Sequence, residues 1–158
     1  MTDPDDSANF DTSDDSLKPA ELARECLVSD YREEVRTVLD CADAVAESWG
    51  SEATTDPAAV ADPLRAALDA AGVWSRLPDL LVSAVDATGR SLSATPVAAP
   101  PYVTATSRGP MLRATLPDGR LVVSLRVFEI DRTSASDGSV RYVRGATTPE
   151  EAVRVEFV

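Results

Sequence analysis

An α+β fold, helices first and an antiparallel sheet after them, is what this sequence predicts, on three observations. Apolar residues before position 90 recur at helical spacing, whereas after position 101 they alternate at period two. Between the two regimes lies a Ser-, Ala- and Pro-rich stretch ending in Pro100-Pro101, the composition of an extended connector. Charge divides at the same place: residues 1–89 carry six basic groups against twenty acids, and residues 90–158 carry nine arginines against seven acids.

The expected organisation is an acidic disordered tail (1–17) followed by one α+β domain (18–158). That domain divides into a helical part (18–89), a connector (90–101) and a β part (102–158). The tail is polar and rich in Asp (Asp3, Asp5, Asp6, Asp11, Asp14, Asp15) and has too little apolar surface to offset its ordering entropy. From Pro19 to Trp49, the residues Leu27, Tyr31, Val35, Val38, Ala42, Val45 and Trp49 fall within roughly 80° of arc at ~100° per residue, one apolar stripe. Asp30 with Glu33 resembles a capping pair, so the region reads as one helix or as two with a break near Ser29. Asp56-Pro57 and Asp62-Pro63 each read as an N-cap and a first helical residue. The second opens a helix to Ala71, and another helix follows over Pro78–Ala87. In all, about three helices are expected.

Strands are expected over Tyr102–Ser107, Met111–Leu116, Leu121–Ile130, Val140–Gly145 and Val153–Val158, a meander of four to five. A two-residue Asp118-Gly119 turn would set Leu116 opposite Leu121, Ala114 opposite Val123 and Leu112 opposite Leu125, all apolar pairs. Thr148-Pro149-Glu150-Glu151 reads as one capped helical turn before the last strand.

The net charge is −12, Lys18 is the only lysine, and Asp outnumbers Glu. Carboxylates stay hydrated in concentrated salt, where the Debye length shrinks to about 3 Å and like charges hardly repel. A salt-adapted protein is therefore expected; the competing reading is an acidic protein of ordinary salt with an Arg-biased genome. No apolar run approaches the ~20 residues of a membrane span, and the start of the chain has no signal-peptide pattern. The expected location is cytoplasmic, with no membrane association.

The chain contains no histidine, which removes Ser-His-Asp and Cys-His chemistry and His-ligated zinc. The glycines form neither a dinucleotide-binding loop nor a P-loop. Cys26 and Cys41 are too far apart for a C-x-x-C motif, and in one unbroken helix they would lie about 22 Å apart, beyond disulfide reach. They read as reduced, partly buried thiols. Asp40, Asp43 and Glu47 share a helix face and could in principle hold a divalent cation, but an ordinary solvated face accounts for them. No cofactor, metal or catalytic residue is expected, and the inventory leans away from an enzyme.

The arginines of the β part are the candidate site. Arg113, Arg126 and, if the last strand joins the sheet, Arg154 fall on the face opposite the apolar pairs. Met111, Phe128 and Ile130 fall there too. Arg108, Arg120, Arg141 and Arg144 lie in nearby turns and strands. Arg with aromatic residues is typical of interface centres. The plainer alternative is cross-strand pairing with Glu129 and Glu156, or with the acidic helices. Nucleic acid is an unlikely partner, since counterion-release affinity falls steeply with salt.

The stretch Val97–Phe128 (VAAPPYVTATSRGPMLRATLPDGRLVVSLRVF), together with Tyr142–Ala152 (YVRGATTPEEA), resembles an uncharacterised haloarchaeal family. The resemblance agrees with salt adaptation and implies no activity, ligand or catalytic residue. The expected function is a non-catalytic interaction or accessory protein that binds a protein partner or itself through Arg113, Arg126, Arg154 and Phe128. The alternative is a small-molecule or anion-binding regulatory domain that uses the same arginine-rich face.

Overall fold

A computed structural model describes residues 18–132 and 140–158. The expected acidic tail (1–17) lies outside the described residues. The α+β arrangement is the expected one. Helices α1 (Pro19–Asp30), α2 (Arg32–Glu47), α3 (Ala61–Ala70) and α4 (Leu77–Ala87) precede the sheets, except for a two-residue strand β1 (Ala53–Thr54). The strands that follow are β2 (Val103–Thr106), β3 (Gly109–Leu116), β4 (Gly119–Leu125), β5 (Phe128–Asp131) and β6 (Arg141–Arg144). The one-turn helix α5 (Pro149–Ala152) leads into β7 (Val153–Phe157).

The region 19–49 is two helices. The chain breaks at Tyr31 (φ −120°, ψ 29°), two residues after the expected point, and no Asp30 cap forms there. The apolar stripe is buried as expected at Leu27, Val35, Val38, Ala42 and Val45, with Leu39 and Cys41 added. The two thiols pack against different helices. Cys26 Sγ lies against the Ser83 carbonyl of α4 and Cys41 Sγ against the Ala67 carbonyl of α3, and both are free. Asp56 does cap its turn, accepting from the Ala58 N–H at 3.0 Å, but the turn is a three-residue 3-10 helix. Asp62 does not cap: α3 has already begun at Ala61 and Asp62 sits inside its first turn.

The strands fall into two sheets, ordered β2-β3-β4-β7 and β1-β6-β5, with antiparallel pairing throughout. The segment 121–130, read as one strand, is therefore two strands in different sheets. After Leu125 the chain leaves the first sheet, and the Val127 and Phe128 N–H groups both donate to the Arg108 carbonyl, at 2.8 and 3.0 Å. The β3–β4 register also differs by two residues from the expected one. Leu116 faces Gly119, Ala114 faces Leu121 and Leu112 faces Val123. The loop residues are thus Pro117 and Asp118. Because the shift is even, every side chain stays on its expected face.

Leu112, Ala114, Leu116, Leu121, Val123, Leu125, Val103 and Val153 point inward from the four-stranded sheet and are buried. Helices α1, α3 and α4 pack on this side, and α2 bridges α3 and the second sheet at β6. Each fully buried Leu of such a core contributes roughly 1.5–3 kcal/mol relative to exposure. Among the described residues no buried position is polar or charged. No described helix is long and apolar enough to cross a membrane.

Candidate functional site

Ladder register fixes which side chains share the outer face of the four-stranded sheet. Across the strands run the rows Thr104–Met111–Ser124–Arg154, Arg113–Val122–Glu156 and Thr115–Arg120–Val158. Thr104, Arg113, Thr115, Arg120, Arg154 and Glu156 are all exposed, so no described helix lies over them. Arg108, in the β2–β3 turn, and Arg126, just beyond β4, border the face where it meets the chain crossing to the second sheet. The face thus gathers Arg108, Arg113, Arg120, Arg126 and Arg154, with Glu156 among them and further carboxylates only at its Arg154 edge.

None of these five arginines forms an ion pair with a described residue. The expected cross-strand pairing does not form: Glu156 lies two strands from Arg113 with Val122 between them. Arg154 borders a depression with Glu129, Glu150 and Glu151 and ion-pairs with none of them. The ion-paired arginines lie elsewhere. Arg32 holds Glu150 (2.6 Å), Arg76 holds Glu34 and Asp79, and Arg90 holds Asp118 (2.7 Å). Hydrogen bonds from Arg32 and from Arg90 keep the Glu150 and Asp118 carboxyls below the usual carboxylate range.

Of the sequence-predicted site residues, Arg113, Arg126 and Arg154 belong to this face and Phe128 does not. Phe128 is fully buried, with its ring centroid 5.5 Å from that of Trp49. Counting at period two across the break after Leu125 places it on the wrong face. The large apolar member of the face is Met111, whose sulfur lies 4.0 Å from Arg113 Nη2.

Arg141 and Arg144, grouped with the face by sequence, lie on β6 in the other sheet. Arg144 Nε reaches Asp43 at 2.8 Å, and its other nitrogens reach the carbonyls of Val127 (2.7 Å), Leu39 (3.2 Å) and Ala146. Arg141 pairs with Asp131 at 2.8 Å. Between them, the end of α2 and β1 lies a cavity of about 570 Å³, lined by Asp43, Glu47, Glu52, Arg141 and Arg144 among others. That is the size of a small-molecule site. Both arginines are ion-paired, to Asp43 and Asp131, Glu47 and Glu52 form no ion pair with a described residue, and Arg141 Nε is buried without a hydrogen-bond partner. Asp40 does not line it. No group of three or more metal-ligating side chains occurs among the described residues.

Residues 21–158 match a family described as a domain of unknown function, DUF7988. No curated protein and no solved structure matches the chain.

Proposed function

This chain belongs to the DUF7988 family, and we propose that it is a non-catalytic interaction module that docks an acidic partner protein on the arginine face of its four-stranded sheet. One observation carries the reading. A chain of net charge −12 leaves five arginines on or beside one sheet face without a carboxylate partner among the described residues, while Arg32, Arg76, Arg90, Arg141 and Arg144 are ion-paired. Guanidinium forks recognise carboxylates bidentately, a directional contact that salt weakens less than it weakens long-range attraction. Met111 and Val122 supply the apolar area between the charges.

The sparing use of lysine and the excess of Asp support a salt-adapted cytoplasm of haloarchaeal type as the setting. In such salt a partner must be held by short-range contacts, which favours protein carboxylates over a nucleic-acid backbone. A regulatory domain that takes a free small anion on the same arginines is the second reading.

The test is fluorescence anisotropy with a labelled Asp/Glu-rich peptide and its Asn/Gln counterpart, at about 1 M KCl, where screening reaches only a few ångström. Changing Arg113→Glu with Arg154→Glu is expected to weaken binding more than tenfold and leave the melting temperature unchanged. A fall in melting temperature would assign these arginines to intramolecular pairing. Unchanged binding would remove the face from consideration. Free acetate or phosphate binding where the peptide does not would favour the second reading.

A further inference from the structure

At one corner of the arginine face the surface drops into a notch of about 50 Å³, lined by Thr106, Arg108, Gly109, Pro110, Met111, Ser124, Leu125 and Arg126. A drug-sized ligand needs about 300 Å³ or more, so this space suits one small group. Backbone bonds fix its walls. The Arg108 carbonyl accepts from the Val127 and Phe128 N–H groups, and the Arg126 N–H donates to the Ala152 carbonyl at 2.8 Å. Thr106 Oγ1 ties the turn, accepting from the Arg108 and Gly109 N–H groups and donating to the Gly109 carbonyl at 2.7 Å. Its hydroxyl proton is thereby used.

The donors left over are the two guanidiniums and the Ser124 hydroxyl, none of which bonds to a described residue. The floor is equally constrained. Gly109 has φ +140°, and a Cβ there would stand 1.9 Å from the Leu125 carbonyl oxygen. Two arginines on fixed backbone, a free hydroxyl and a methionine flank make a pocket for a carboxylate on a short methylene arm.

We propose that this notch is the anchor of the docking face, and that it takes a single Asp or Glu carboxylate of the partner between Arg108 and Arg126. The inference rests on the docking reading above and sharpens it from a face to a point. The occupant is a different protein rather than a second copy. Charge complementarity commits the occupant: the notch is lined by two arginines and by no carboxylate.

The experiment uses the same acidic peptide against single variants of the full chain. Arg108→Gln and Arg126→Gln are each expected to weaken binding at least tenfold, and Arg120→Gln, on a row away from the notch, less than threefold. Neither notch variant should lower the melting temperature, because neither guanidinium bonds to a described residue. Equal small losses at all three positions would overturn the anchor and leave the docking reading standing, since a diffuse positive field would then hold the peptide. No binding by the unaltered chain would overturn both. Inorganic phosphate displacing the peptide far better than acetate would reassign the notch to phosphate, and sedimentation showing copies associating through Arg126 would reassign the occupant.

Discussion

Arg144 shows how much one side chain can settle. Its guanidinium joins β6 to Asp43 and Leu39 of α2 and to the crossing segment at Val127. Its side chain is 17% exposed while that of Asp43 is 56% exposed. Backbone carbonyls thus account for most of what truncation would leave unsatisfied. Arg144→Met is expected to cost about 2–4 kcal/mol, and Asp43→Asn under about 1 kcal/mol, as for an exposed ion pair. Urea unfolding checks both, and equal losses would mean that the ion pair, not the carbonyls, carries the clamp. Gly109→Ala is expected to cost more than about 2 kcal/mol, because its Cβ would meet the Leu125 carbonyl and its φ is strained for any L side chain. At this scale the sequence was only partly legible. Arg113, Arg126 and Arg154 could be assigned to a face because the even period survives a register shift of two. Phe128 could not, because the break after Leu125 carries no Gly or Pro; it is made by the carbonyl of Arg108, a residue close in space and twenty positions away.

Among elements, the β3–β4 hairpin was misread by a glycine with two plausible uses. Gly119 after Asp118 reads as a turn residue, yet it opens β4, and a Cβ there would meet the Phe157 ring and the Val158 carbonyl within 3 Å. It is glycine so that β7 can approach; Asp118 is held instead by Arg90, whose guanidinium also lies over the Phe157 ring at 4.6 Å. The helix break at Tyr31 was legible only as an alternative, because the apolar stripe runs on through it. Its consequence is that Arg32, first residue of α2, faces Glu150 of α5, while Arg24 of α1 donates to the Val153 carbonyl at 3.1 Å. These ties predict a pH dependence. The Asp118 and Glu150 carboxyls titrate lower in the folded chain than in the unfolded one, so their contribution is complete above the unfolded value of about 4 and is lost as pH falls through the folded value. The stability gap between the unaltered chain and Arg32→Gln with Arg90→Gln should be present at neutral pH and close in acid. A gap independent of pH would show that the arginines act through packing alone.

For the whole molecule, the two-part charge distribution is the feature read most directly from the sequence and the one with the widest consequence. Twenty acids against six basic groups in residues 1–89 repel one another when unscreened. Far-UV circular dichroism is therefore expected to show lost structure and a lower melting temperature on dialysis from about 2 M KCl toward low salt. A melting temperature indifferent to salt would contradict salt adaptation. The division into two sheets was not legible, because β1 is two residues inside an acidic, polar loop and becomes a strand only by pairing with Val143 and Tyr142. The same division separates Arg141 and Arg144, ion-paired to Asp131 and Asp43, from the arginines of the other sheet, which pair with no described residue.

Backbone amide chemical-shift mapping with the acidic peptide tests the central claim most directly, because it reports where contact occurs without altering a residue. The account predicts the largest changes at Arg108–Arg113, Ser124–Arg126 and Arg154, with the α2 surface silent. Changes confined to the cavity around Glu47, Glu52 and Arg141, or spread evenly over the chain, would contradict it.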